Sequence, residues 1–150
     1  MNAFQMLRAT RQNAIRLVAD CNMDQLNHIP AGFNNNLIWN LGHMLVTQQL
    51  LCYRLSQTPC LVEDEMIARY RKGTRPEGRI EEEEWTFIRQ QLISSVGAMT
   101  QDHASGRFGP YKSYSTSYGV TLDSIDEAIH FNNMHEAMHL GTMLALKKLV

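Results

Sequence analysis

Apolar residues return at three- and four-residue steps in four stretches of the chain, the period of helices that turn one face to a core. The first stretch runs from about Ala3 to Cys21, with Phe4, Leu7, Ala14, Ile15, Val18 and Cys21 on one side. Pro30 and Gly32 then interrupt the pattern. A second helix is predicted after Asn34, Asn35 and Asn36, since asparagine is a strong N-cap, with the stripe Leu37, Leu41, Met44, Gln48, Leu51 and Leu55. The third opens on the acidic run Glu81–Glu84, which suits the positive end of a helix dipole, and buries Trp85, Ile88, Leu92, Val96 and Met99. The last starts at about Asp123 as N-cap, with Asp126 and Glu127 in its first turn, and ends at Lys147 and Lys148.

Two long connections separate these helices. One, over 57–80, holds a short helix near Glu63–Tyr70, and the other, over 102–122, is rich in Gly, Ser and Tyr. Only the run SYGVTL leans toward a strand. The predicted fold is therefore all-α, a four-helix bundle forming one domain over residues 1–150, with long connections between helices two and three and helices three and four. Loops of that length carry function more often than shorter ones, which makes Tyr111, Tyr114 and Tyr118 candidates for lining an entrance.

Composition narrows the partners. A hydrophobic fraction of 44% and a charged fraction of 19% are those of a globular chain, and a net charge of −1 provides no basic field for nucleic acid. Arg8, Arg11 and Arg16 interrupt the N-terminal apolar residues, leaving neither a signal-peptide core nor the ~20 apolar residues of a membrane span. A cytoplasmic protein is expected, with no nucleic-acid or membrane partner. Cys21, Cys52 and Cys60 are odd in number and lack CxxC spacing, so neither a disulfide framework nor a cysteine zinc site is predicted. Cys21 and Cys52 are read as small core residues and Cys60 as a loop thiol.

The inward stripe of the last helix reads Ile125, Ala128, Asn132, His135, His139, Thr142, Leu146 and Leu149 and is polar at its centre. Imidazoles and an amide buried there need partners. His135 and His139 lie one turn apart on the same face, which lets two imidazoles share a metal ion; hydrogen-bonded core histidines are the competing reading. His43, on the shoulder of the second helix beside Trp39, Asn40 and Thr47, reads alone as a bundle-edge histidine, but with the pair it would supply a third ligand. The three are predicted to converge on one ion at about 2.0–2.2 Å, leaving coordination positions open as catalytic sites do. His28, His103 and His130 fall at a turn, in a loop and off the stripe. The segment HEAMH also fits the HExxH zinc-protease signature, but the eleven residues after His139 include no His, Asp or Glu to complete that site.

The segments PAGFNNNLIWNLGHML (Pro30–Leu45) and HEAMHLGTMLALKK (His135–Lys148) resemble those of the DinB/YfiT-like metalloenzyme superfamily, and helix order and chain length agree. The resemblance implies an antiparallel up-and-down four-helix bundle holding a divalent metal through His43, His135 and His139. Some relatives are transferases or isomerases that use low-molecular-weight thiols, and some have a carboxylate where this chain has His135. A neutral three-histidine set leaves the ion's charge uncompensated and favours a thiolate or hydroxide ligand.

The expected function is that of a divalent-metal-dependent enzyme, a thiol-dependent transferase or a hydrolase, using Zn, Ni, Fe, Mn or Co to activate a thiol or water. Asn132 is the expected outer partner of His135. Glu136 is a candidate general base, with a place on the solvated flank of the bundle the more ordinary reading. The alternative function is a non-catalytic, stress-related metal- or ligand-binding bundle acting as a homodimer, for which the nine methionines would give an adaptable interface.

Overall fold

The computed structural model describes residues 1–150 and is predominantly helical. In chain order it comprises α1 (Ala3–Leu17), α2 (Met23–Asn27), α3 (Leu37–Gln48), α4 (Asp64–Tyr70), α5 (Glu82–Ala104) and α6 (Ile125–Leu146). A π-helical segment, Gln49–Arg54, extends α3, and a 3₁₀ turn, Lys147–Leu149, extends α6. Strand is confined to a hairpin in which β1 (Tyr114–Ser115) pairs antiparallel with β2 (Thr121–Leu122). No helix is long and apolar enough to cross a membrane.

Local chemistry explains where the helices start. The Asn2 and Asn22 side chains accept from the N–H groups of Gln5 and Gln25, whose side chains bond back to the cap N–H, forming two capping boxes. The second box starts α2, a helix too short to show a period in the sequence. Asn36 caps α3 by accepting from Trp39 N–H at 2.8 Å. Ser124, rather than the expected Asp123, caps α6 by accepting from Glu127 N–H.

The four long helices pack in a ring in which α1 touches α5 and α6, and α3 touches the same two. Cross-helix contacts fix their directions. Along α1 and α6, Ala3 meets Asn133, Arg11 meets Glu136 and Asp20 meets Lys147, so these helices run parallel. Gln48 with Met99 and Tyr53 with Asp102 make α3 and α5 parallel as well. Phe4 with His103 and Arg11 with Ser95 make α1 and α5 antiparallel, and Asn40 with His139 and His43 with His135 do the same for α3 and α6. The alternating up-and-down order expected from the resemblance is thus replaced by up, down, down, up. The physical reason lies in the connection over 55–81. It returns the chain along the length of α3 before α5 begins, which parallel neighbours require and which consumes a long loop.

The core consists of two apolar clusters with a polar belt between them. One gathers Ala14, Leu41, Leu45, Leu92 and Met143, and the other Leu7, Tyr53, Val96, Met99 and Ile129. Between them lie Arg11, Gln48, Ser95, Asn132 and Glu136, all buried. The inward line of α6 therefore passes through Ala128, Asn132, Glu136, Met143 and Leu146. Thr142 and Leu149, expected inside, are exposed. Glu136 is fully buried instead of lying on the solvated flank.

Candidate metal centre

His43 is placed from two directions. The Asn36 cap sets the register of α3, and Gly42, just before the histidine, admits α4. A Cβ at Gly42 would stand 2.5–2.7 Å from the Tyr70 ring, so only glycine lets that ring lie against the helix. The Tyr70 carbonyl then accepts from His43 Nδ1 at 2.6 Å. A carbonyl can only accept, so Nδ1 carries the proton and Nε2 keeps its lone pair. Trp39 stacks on the imidazole at 4.7 Å and 9°, and the Thr47 hydroxyl lies 3.2 Å from Nε2.

From α6, His135 and His139 approach the same point. Asn40 Nδ2 donates to the Asn36 carbonyl at 2.7 Å, which turns Oδ1 toward His139 Nδ1 at 2.8 Å. His139 is therefore protonated on Nδ1, and its Nε2 is the free donor atom. His135 Nδ1 is buried with no hydrogen-bond partner. Ring centroids are 5.1 Å apart for His43–His135, 4.7 Å for His43–His139 and 4.6 Å for His135–His139. One ligand atom from each lies within 4.8 Å of the others. Nitrogens sharing one ion at about 2.1 Å stand about 3 to 3.4 Å apart, so closing on an ion takes only small ring rotations.

Burial, then the neighbouring His139 and His43, lowers the His135 pKa to about 3. Burial, then His43, lowers His139 to about 4. His43 is lowered by burial, with the Tyr70 hydrogen bond opposing. Three neutral imidazoles result at pH 7, each the protonation state a metal ligand needs. Together with the orphaned His135 nitrogen, this donor set fits a borderline transition ion better than a hydrogen-bonded histidine core, which would satisfy every ring.

Other expected site residues fall differently. Asn132 donates to Glu136 Oε1 at 2.9 Å rather than to His135. Both Glu136 oxygens face Arg11, whose Nη2 is 2.6 Å from Oε1 and Nε 2.9 Å from Oε2. The outer partners of the histidines are Asn40 and the Tyr70 carbonyl. Asn40 stood in the WNLGH segment one turn before His43, whereas a backbone carbonyl leaves no trace in a sequence.

A cleft of about 290 Å³ opens beside His43 and His135, lined also by Thr47, Leu51, Arg54, Lys72, Tyr114 and Phe131. Of the loop tyrosines only Tyr114 lines it. Tyr118 is exposed against Phe131, and the Tyr111 hydroxyl is buried without a partner. His28 and His130 are exposed and His103 bonds Asp126, all outside the cluster. The cysteines are free; burial pushes the Cys52 thiol up to about 12, while Cys21 is only partly buried and lies 3.0 Å from Lys147 Nζ.

A family model described as the DinB superfamily matches residues 6–143. No curated protein matches the chain.

Proposed function

Proceeding from the fact that the chain belongs to the DinB superfamily, we propose that it is a metal-dependent enzyme built on a four-helix bundle, with His43, His135 and His139 holding a divalent transition ion. The observation that carries this reading is the set of three neutral imidazoles, two with Nδ1–H tied outward to Tyr70 and Asn40 and one with a buried unpaired nitrogen. Zn, Ni, Fe, Mn and Co all suit such a set. An ion there supplies Lewis acidity, lowering the pKa of a thiol or water beside it.

The chain's own groups prepare that chemistry. Tyr70 and Asn40 hold two rings in the tautomer that presents Nε2. Trp39 covers one face of His43 and keeps water from it, while Thr47 stands at the edge of His43 that faces the cleft. The cleft admits a small molecule to the open side, and a low-molecular-weight thiol as the nucleophile of a transfer, or water as the nucleophile of a hydrolysis, fits a neutral ligand set that favours anionic ligands. With both oxygens engaged by Arg11 and Asn132, Glu136 anchors α6 rather than serving as base.

The test uses protein purified without a histidine tag. Titration with zinc is expected to show one tight site per chain, lost in His139→Ala. Metal-loaded wild type is then screened for turnover of small thiols with electrophiles. Metal binding without turnover would support the non-catalytic alternative, and absence of a metal site would overturn the metal-dependent reading and leave only the ligand-binding form of that alternative.

A further inference from the structure

The cleft beside the histidines has a chemistry of its own. Its floor is apolar, formed by Leu50, Leu51 and Leu55 at the end of α3 and its π-helical extension, with Phe131 from α6. Its charged lining consists of Arg54 and Lys72, with no carboxylate. Arg54 is compensated, since Nη2 lies 2.7 Å from Asp64 Oδ1. Lys72 makes no ion pair, and neither do its exposed neighbours Arg71 and Arg75. The turn after α4 holds the lysine at the mouth, with Gly73 at φ +88° reversing the chain directly behind it. Across the cleft, Thr116 and Ser117 of the hairpin loop add hydroxyls. An uncompensated cation over an apolar floor attracts an anion attached to an apolar body, because such a ligand gains from both surfaces while a neutral one gains only from the floor.

We propose that the cleft binds a small amphipathic organic anion, with its carboxylate or phosphate at Lys72, its apolar body on Leu50, Leu51 and Phe131, and its other end toward His43 and His135. Lys72 is then the specificity-determining residue. The proposal rests on the reading of the histidines as the reacting end, yet the anion preference is measurable without a metal. At about 290 Å³ the cleft lies at the small end of ligand pockets, so a compact acid fits and a long lipid does not.

The experiment is calorimetric titration of metal-free wild-type protein with 4-phenylbutyrate, 2-phenylethyl phosphate, 4-phenylbutanol and 4-phenylbutylamine. Both anions are expected to bind at least tenfold more tightly than the alcohol and the amine least tightly, and the tighter anion identifies the headgroup class. Lys72→Gln should remove most of that preference and Lys72→Glu should reverse it, with the alcohol's affinity unchanged in both. Lys72 is exposed in a turn, so neither variant disturbs the core. Equal binding of anion and alcohol, no binding of any probe, or an anion preference that survives Lys72→Glu would overturn the proposal. A parallel zinc titration separates the two readings. Loss of zinc binding with the anion preference intact removes only the metal-site proposal, whereas zinc binding without anion preference removes only this one.

Discussion

Two buried polar clusters lie side by side on α6, and they are built in opposite ways. Around Arg11 and Glu136 every strong donor finds an acceptor: Nε and Nη2 bond the carboxylate, Nη1 bonds the Leu92 carbonyl and Ser95 Oγ, and Nη2 also reaches Gln48. All five guanidinium N–H groups are used. Around His43, His135 and His139, by contrast, two rings are oriented from behind by the Tyr70 carbonyl and Asn40, only the Thr47 hydroxyl approaches a front nitrogen, 3.2 Å from His43 Nε2, and His135 Nδ1 has no partner at all. The closed network joins four helices at one register and leaves only the Asn132 Oδ1 acceptor without a partner. An open one gives up packing energy in order to keep lone pairs available. The distinction between architecture and site therefore rests on which donors and acceptors remain unsatisfied, because burial and polarity are common to both clusters.

The strongest way to break this comparison is to open the closed network. Arg11→Met leaves the Glu136 carboxylate buried and unpaired, which is expected to cost about 3–5 kcal/mol. For a chain of this length that corresponds to a melting temperature lower by on the order of 10 °C. The double variant Arg11→Met/Glu136→Leu, which removes both charges, should recover most of the loss. Thermal melts of the three proteins check this, and a single variant within 1 kcal/mol of wild type would show that the pair is not structural.

Acid should act next most strongly, and on the open cluster. In the folded, metal-free protein His135 and His139 titrate near 3 and 4, whereas in the unfolded chain they titrate near 6.5. As pH falls, the unfolded state therefore takes up protons first. The contribution of these residues is fully present above about pH 6.5 and is lost progressively as pH falls through about 4 and then 3. Denaturant melts of metal-free protein at several pH values should show this decline. Added zinc should carry full stability to lower pH, because protons must then compete with an ion. A curve that does not change with zinc would separate the histidines from the metal.

The two clusters also differed in how legible they were in the sequence. The three histidines could be located because an i,i+4 pair and a histidine after Gly42 are local patterns. Arg11 could have been found as well. It stands four residues after Leu7 and three before Ala14, inside the apolar line of α1, where a charge demands a buried partner. Assigning the centre of α6 to His135 and His139 hid that partner, since the inward line passes through Glu136 and leaves the histidines on the side facing α3. Helix existence followed from periodicity and caps. Helix direction did not, because a long connection permits either a parallel or an antiparallel neighbour, and only contacts such as Gln48 with Met99 distinguish them.

A smaller effect is expected where the fold supports the open cluster. Gly42→Ala places a methyl against the Tyr70 ring, and overpacking of this kind typically costs about 1–3 kcal/mol. The ring and its carbonyl must move together, so His43 loses the acceptor that sets its tautomer. Metal affinity should fall about 10- to 100-fold, the usual result of losing an outer partner. A zinc titration beside a melt measures both effects, and unchanged affinity with lowered stability would limit Tyr70 to packing.

The smallest change in folding, with the largest loss of binding, is expected from His139→Ala. The side chain is half-buried beside the polar Asn40, so the space it vacates can admit water, and the folding cost should be about 1 kcal/mol or less. Metal binding should nevertheless disappear, because two imidazoles hold an ion far less tightly than three and the remaining pair belongs to different helices. A structural metal predicts the reverse relation, with binding energy appearing as folding energy and chelation of wild type lowering the melting temperature steeply. Two apolar clusters joined by the closed Arg11–Glu136 network already supply a core that does not depend on an ion. Chelation should therefore leave the wild-type fold intact, and a metal assay paired with melts of wild type, chelated wild type and variant decides the matter. Metal retained by the variant would remove His139 from the ligand set, and a collapse on chelation would make the open cluster as architectural as the closed one.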